Sequence, residues 1–402
     1  MGLIGVGVYL LVPKLDKEPP VTQKQATSSA ITKKCVDEDP SDQIIECLPL
    51  TLAFSRNTGE LIYISDSNQV NAKEIWLYDK GKLRKITKTS GKAGKYQLNS
   101  DGKKLYYIKN EVVSDPNGSD YFLGIELREV ELQTGREKIL VPRIKVEKEV
   151  YKRNLSDFDI SHDGKKIAFV RGGLWILNLD TNKTTKIAQS TYYDAETTTG
   201  HSYSAVKWSP SDKFIATSWG GYETLGYDLI NIESKKINLI EPGGFPPRYD
   251  FLVFVDDSKG IFINSIDSNK ARIIEKDFSI LKKKVLLDDL VGDEEFYNLG
   301  FSDLKYTSSQ DRIYMIQTTT TIKKPSGTGS FFQSKIIYLE RKSGSLSDLT
   351  SFFAKDVAVN NLTLTSDSEY LLFNVNDDIW ILSTDEETKG MLLENANKPI
   401  VP

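Results

Sequence analysis

The 402-residue chain is poor in the side chains on which most catalysis relies. It has two histidines, His162 and His201, and two cysteines, Cys35 and Cys47. So few imidazoles leave little from which to build histidine acid–base chemistry or a histidine metal site. The pentapeptide Gly-x-Ser-x-Gly does not occur, so the nucleophile elbow of an α/β-hydrolase is missing. No apolar run approaches the ~20 residues that a helix needs to cross a bilayer. A surplus of positive charge is also lacking: 52 Lys and Arg stand against 56 Asp and Glu, a formal net charge of −4. The balance gives no broad positive field, and nucleic acid is not an expected partner. Helical periodicity is scarce too, with no convincing window longer than about ten residues.

What the chain has is repetition. An apolar/polar alternation, a Ser-Asp-Gly type turn and a second alternating run recur about seven times, roughly 35 to 60 residues apart. The clearest copies are Phe158–Val170, with Asp163-Gly164 at the turn, and Tyr96–Ile108, with Asp101-Gly102. Period-two alternation and tight-turn residues read as antiparallel hairpins. Repeats of this length made of strands predict four-stranded sheets set radially, an all-β β-propeller. Seven blades is the expected number, with six or eight left open by eroded copies such as Asp256-Asp257-Ser258-Lys259-Gly260. Trp76, Trp175, Tyr227, Tyr338 and Trp380 fall on third strands and are read as packing between blades.

The turn Ser161-His162-Asp163-Gly164-Lys165-Lys166-Ile167-Ala168-Phe169 resembles the WD-like repeat of TolB-type propellers. Ser209-Pro210-Ser211-Asp212-Lys213-Phe214-Ile215-Ala216 and Ser100-Asp101-Gly102-Lys103-Lys104-Leu105 are similar. The same repeat resembles the propeller domains of prolyl oligopeptidase-family peptidases, whose hydrolase half has no counterpart in this sequence. The resemblance covers about residues 50–395. It implies the fold and carries no site residues, because the turn is structural.

Ahead of the repeats, residues 1–13 form an apolar leader, read as the remnant of a membrane anchor. Residues 14–43 are polar and read as a flexible linker. The propeller is expected over 44–395, with a tail at 396–402; Ile44–Leu48 is a candidate ring-closing strand. Cys35 and Cys47 are a candidate disulfide for an oxidising compartment, with two free thiols as the alternative. This order describes a propeller held outside a bacterial-type cell membrane by a single N-terminal anchor.

For function, the long segments are expected on one face: Lys109–Leu123, Ser218–Gly226 and Gln317–Ser334 within blades, and Pro142–Ser156, Gln189–Ser204 and Glu241–Asp250 between them. Loops on a rigid scaffold concentrate recognition, and aromatic and Arg side chains anchor it. The candidate binding residues are Tyr121, Phe122, Tyr192, Tyr193, His201, Trp219, Tyr222, Phe245, Arg248, Tyr249, Phe331 and Phe332. No catalytic residue, metal site or cofactor is expected. Asp115–Asp120 and the acidic residues Asp288, Asp289, Asp293, Glu294 and Glu295 are read as solvated loops rather than calcium ligands. The expectation is a non-enzymatic scaffold for a protein or peptide, with a carbohydrate-binding or carbohydrate-active propeller as the alternative.

Overall fold

The computed structural model describes residues between Leu52 and Leu393, apart from 56–59, 68–71, 80–81, 88–92, 115–119, 145–149, 192–199, 222–223, 242–251, 268–269, 288–295, 308–310, 323–329, 351–358, 365–369, 376–377 and 385–388. Residues 1–13, the linker, Ile44–Leu48, Cys35 and Cys47 thus lie outside the described residues.

The described strands form four-stranded antiparallel sheets, seven of them, each made of four consecutive strands. The first holds β1 (Leu52–Ser55), β2 (Glu60–Ser67), β3 (Ala72–Asp79) and β4 (Lys82–Lys85). The second holds β5 (Ala93–Leu98), β6 (Lys104–Ser114), β7 (Asp120–Glu131) and β8 (Glu137–Val141), followed by a short helix α1 (Val150–Arg153). The third holds β9 (Asp157–Ile160), β10 (Lys166–Val170), β11 (Gly173–Asn178) and β12 (Lys183–Gln189). The fourth holds β13 (Ser202–Trp208), β14 (Phe214–Gly221), β15 (Thr224–Asn231) and β16 (Ile237–Glu241). The fifth holds β17 (Leu252–Asp256), β18 (Lys259–Asp267), β19 (Lys270–Asp277) and β20 (Lys283–Leu287). The sixth holds β21 (Phe296–Thr307), β22 (Arg312–Ile322), β23 (Ser330–Glu340) and β24 (Leu346–Asp348). The seventh holds β25 (Val359–Leu364), β26 (Tyr370–Val375), β27 (Asp378–Ser383) and β28 (Lys389–Leu393).

The second strands read as nearly unbroken apolar runs because both of their faces are covered. On β10, Ile167 and Phe169 point into a cluster shared with Tyr106 and Ile108 of the second sheet, while Ala168 and Val170 join Val206, Trp208 and Ile215 of the fourth. On β22, Ile313 and Met315 pack toward Ile261 and Ile263 of the fifth sheet, and Tyr314 and Ile316 toward Leu371 and Phe373 of the seventh. The strand period of two thus sends alternate side chains into the two neighbouring interfaces. First strands meet first strands: β5 touches β9, β9 touches β13, β17 touches β21, β21 touches β25, and β25 touches β1. First strands are therefore innermost and the sheets radiate from a common axis. The fold is a β-propeller of four-stranded antiparallel blades. Of the third-strand aromatics, Tyr227 and Tyr338 are buried between blades, and Trp175 and Trp380 pack against inter-blade clusters; the side chain of Trp76 lies outside the described residues.

Two sets of carboxylates fasten blade to blade. Near the axis, Asp157 Oδ2 accepts the Val206 amide at 2.9 Å and Asp159 Oδ2 accepts the Trp208 amide at 2.8 Å. Lys95 Nζ lies 2.5 Å from Asp157 and Lys207 Nζ 3.5 Å from Asp159. At the tight-turn end, the Ser161 hydroxyl donates to Asp163 at 2.6 Å and the Lys165 amide to Asp163 at 2.9 Å, while Gly164 takes a φ of 69°. Asp212 then reaches back one blade, accepting the His162 amide at 2.8 Å and the Asp163 amide at 2.9 Å. Asp257 does the same to the Ser211 amide at 3.0 Å. In the repeat, Asp212 occupies the place of the turn glycine and adopts its left-handed backbone, φ 59°; Asp tolerates that conformation better than most residues. A departure from the turn motif is thus a latch between blades.

Candidate functional site: the hairpin end of the propeller

Hairpins joining second to third strands, and the links between blades, lie at one end of the ring; the tight Asp-Gly turns lie at the other. Three segments read from sequence as long loops prove to be largely paired strand. β6 and β7 pair from Lys104 opposite Glu131 out to Ser114 opposite Asp120, with one register shift between Lys109 and Asn110. β22 and β23 run from Arg312 opposite Glu340 to Ile322 opposite Ser330, and β14 and β15 end with Gly221 opposite Thr224. The β-branched run Thr318–Thr321 facing Phe331–Ser334 explains why that chain stays extended. Tyr121 and Phe122 lie on the β6–β7 ribbon, with Tyr121 37% exposed. Arg143 pins this ribbon to the following link through Glu111, at 2.8 Å. Phe331 and Phe332 lie on the β22–β23 ribbon.

His201 and Trp219 come together. The backbone of His201 bridges to Thr191, donating to its carbonyl at 2.7 Å and accepting its amide at 3.0 Å. Its ring stacks on Trp219 with 4.2 Å between centroids and meets Tyr203 edge-on at 4.9 Å. Nε2 lies 2.8 Å from Oδ2 of Asp228, a residue only 2% exposed. Burial raises the Asp228 carboxyl above the usual carboxylate range, opposed by His201 and by the Trp219 and Tyr203 side chains facing it. Trp219 Nε1 is buried and forms no hydrogen bond of normal geometry among the described residues. Burial and the nearby Asp228 push the Tyr203 phenol well above its usual range. The nest fixes an imidazole beside an indole, with the hydrogen bond between His201 Nε2 and Asp228 holding the ring in place.

A groove of about 360 Å³ opens between the third sheet and the link that precedes it, lined by Ile144, Lys152, Arg171, Gly172, Trp175, Lys186 and Gln189. Arg171, 7% exposed, donates Nη1 to the Pro142 carbonyl and Nη2 to the Ile125 carbonyl, each at 2.7 Å. Its Nε has no hydrogen-bond partner among the described residues. Burial pulls the Arg171 guanidinium down to about 10, with Glu126 opposing. Lys186 Nζ sits 4.7 Å above the Trp175 ring and 2.6 Å from Gln189 Oε1. Trp175 lies parallel to Phe169 at 6.4 Å and donates its indole N–H to the Arg171 carbonyl at 2.9 Å. Gln189 Nε2 donates to the Gly172 carbonyl at 2.9 Å. Sequence reading missed this groove, because its residues come from the link after β8, from α1, from the β10–β11 turn and from β11 and β12.

Of the other sequence-predicted residues, Tyr192, Tyr193, Tyr222, Phe245, Arg248 and Tyr249 lie outside the described residues, as do Asp115–Ser119 and the acidic residues at 288–295. Among the described residues there is no group of three or more His, Cys, Asp or Glu placed to hold a metal, and no helix long and apolar enough to cross a membrane.

No family model matches the chain, and no curated protein does. Solved structures do. A puromycin-hydrolysing peptidase of Mycobacterium tuberculosis superposes with a TM-score of 0.58 at 10% identity, over 87% of this chain and 54% of its own. A prolyl endopeptidase gives a TM-score of 0.56 at 13% identity, over 86% and 50%. An oligogalacturonate lyase, solved with manganese, gives 0.54 at 10% identity, over 86% and 85%. The chain spans about half the length of the two peptidases. At these identities the likeness shows the propeller fold alone.

Proposed function

We propose that this chain is a non-enzymatic binding scaffold that takes a protein or peptide partner on the hairpin end of the propeller. The carrying observation is the gathering at that end of the His201–Trp219 nest, the cation-lined groove and the paired outer arms of the ribbons. The opposite end, in contrast, is closed by tight turns. A rigid ring presenting extended ribbons is suited to recognition, since the scaffold fixes the positions of side chains that would otherwise lose entropy on binding. The seven sheets are read as the blades of one ring, closed where β1 lies against β25 and β26. The apolar stretch Gly2–Val12 and the polar chain after it support the further reading that an N-terminal anchor holds the ring outside a bacterial-type cell membrane. TolB-type turns such as Ser161–Phe169 fit that setting.

The test is site-specific photo-crosslinking in cells expressing the full gene. A crosslinker at Tyr121, on a ribbon, should capture a discrete protein; one at Thr181, in an opposite-end turn, should not. Adducts at Thr181 alone would defeat the assignment of the face. A glycan array with a hydrolysis screen addresses the carbohydrate alternative, and a product found only in the cytosol on fractionation would remove the anchor.

A further inference from the structure

We propose that the axial channel of the propeller binds a phosphate group, taken between Lys305, Lys207 and Lys95 of three different first strands. This site lies on the axis, apart from the hairpin-end surfaces, and does not depend on what they bind. The repeat shows how it arises. Gln97, Asp159, Lys207 and Lys305 stand opposite Tyr106, Ala168, Ala216 and Tyr314, at one equivalent position on the first strands of four blades. In two of those blades the position fastens the next one: Gln97 Oε1 accepts the Ile160 amide at 3.3 Å, and Asp159 Oδ2 the Trp208 amide at 2.8 Å. A lysine side chain has no acceptor, so Lys207 and Lys305 cannot make that bond. Two blades thus forgo an inter-blade fastening and place a cation beside the axis instead.

First strands are innermost, yet the side chains of Lys95 and Lys207 are 39% and 56% exposed, so the axis is open to water at this level. Lysines and aspartates balance here, with Lys95, Lys207 and Lys305 against Asp157, Asp159 and Asp303; the asymmetry is in their partners. Asp157 accepts the Val206 amide and lies 2.5 Å from Lys95, and Asp159 accepts the Trp208 amide and lies 3.5 Å from Lys207. Asp159, with Asp157 behind it, holds the Lys207 ammonium above its usual range, so it stays charged. Lys305 makes no ion pair or hydrogen bond among the described residues. Burial pulls its ammonium below the usual lysine range; Asp303, on the same strand, opposes this, and Lys207 and Lys95 reinforce it. Lys305 therefore holds its charge against like charges, with its N–H donors unused, and an entering anion relieves that repulsion. No described first strand contains arginine, whose planar fork suits bidentate carboxylate recognition. Ammonium groups arriving as point charges from separate blades suit the several oxygens of a tetrahedral phosphate.

The experiment uses the full chain and isothermal titration calorimetry at constant ionic strength, with inorganic phosphate, glycerol 3-phosphate and acetate as probes. Inorganic phosphate should bind saturably. Glycerol 3-phosphate binding beside it would mark a phosphate monoester as the ligand, and its failure to bind would mark free phosphate; either outcome keeps the site. Lys305→Met should weaken phosphate binding about tenfold, and Lys305→Arg should retain most of it. Lys183→Met, on the outer strand β12, should change nothing. Lys305 has no partner to lose, so Lys305→Met should melt no lower than the parent. Acetylation of the unaltered chain, mapped by mass spectrometry, gives a second readout: phosphate should protect Lys305 and leave Lys183 unprotected. No saturable binding of phosphate, equal losses from Lys305→Met and Lys183→Met, or unchanged labelling of Lys305 would each overturn the site. Acetate binding as tight as phosphate would overturn the choice of phosphate.

Discussion

Replacing Asp159 by Ala tests whether inner-strand carboxylates hold the blades together. Asp159 is 4% exposed, and its Oδ2 accepts the amide of Trp208, itself 2% exposed, at 2.8 Å. Truncation removes a hydrogen bond to a charged acceptor and leaves that amide buried without its partner. Bonds of this kind are worth ~1.5–3 kcal/mol, and the orphaned donor puts the loss near the top of that range, about 3 kcal/mol. The Lys207 contact adds little, because at 3.5 Å its ammonium side chain is 56% exposed and solvent screens the pair. The bond from Trp208 Nε1 to the Asp159 carbonyl, at 3.0 Å, is backbone-accepted and survives the change. Urea unfolding followed by tryptophan fluorescence should show a lower midpoint at unchanged slope. Asp159→Asn, which keeps an oxygen acceptor, should lose only about 1 kcal/mol. An Asn variant as damaged as the Ala variant would mean that charge pairing with Lys207 dominates. An Ala variant with the parent midpoint would refute the fastening role outright.

Other outcomes follow from the same structure. At Gly124 an added Cβ would stand 2.1 Å from the Leu155 carbonyl oxygen, where the Leu155 amide also bonds the Gly124 carbonyl at 2.8 Å. Gly124→Ala should therefore cost about 3 kcal/mol, read by chemical denaturation, and a neutral result would contradict the close approach. Asp257 is held below the usual carboxylate range: burial would raise it, but the Ser211 hydroxyl and amide overcome this. Its stabilisation is present above about pH 4 and is lost as the pH falls through the lower folded value, so Asp257→Asn should flatten the acid limb of the stability curve. His201→Ala removes the partner of the buried Asp228 and should cost about 3 kcal/mol near neutrality. Because burial raises the Asp228 carboxyl, the folded state takes up a proton more readily than the unfolded one. That deficit should therefore shrink as the pH falls from neutrality toward the raised carboxyl's range, and a pH-independent deficit would argue against a charged Asp228.

The fold was legible because its signals are local. The Asp163-Gly164 turn, the alternation on either side of it and the second-strand apolar runs each occupy fewer than about ten neighbouring residues. The eroded fifth repeat was also recoverable, since Ala271–Glu275 falls within β19 and Lys284–Leu287 within β20. The ribbons were misjudged because polar residues and Asp115-Pro116-Asn117-Gly118-Ser119 interrupt the pattern, and pairing depends on the register of the opposite strand. Long-range partners carried no local mark. Asp212 meets His162 across 50 positions of chain, Asp157 meets Val206 across 49, and His201 meets Asp228 across 27. His201 and Trp219 were each singled out as aromatic or titratable loop residues, but Asp228 reads only as an interior strand position. Arg171 and Lys186 carry no local mark of the groove, which exists only because the fold places α1 beside them.

The pairing of β6 with β7 beyond the register shift at Lys109 and Asn110, out to Ser114 opposite Asp120, has a consequence for how this end can change. Inserting one residue into each arm extends the hairpin by a single cross-strand pair, while every position nearer the body of the blade keeps its orientation and its neighbours. Reach, tip chemistry and presented sequence can therefore diverge, or be rewritten by an engineer, with no adjustment of the interlocked wedges underneath.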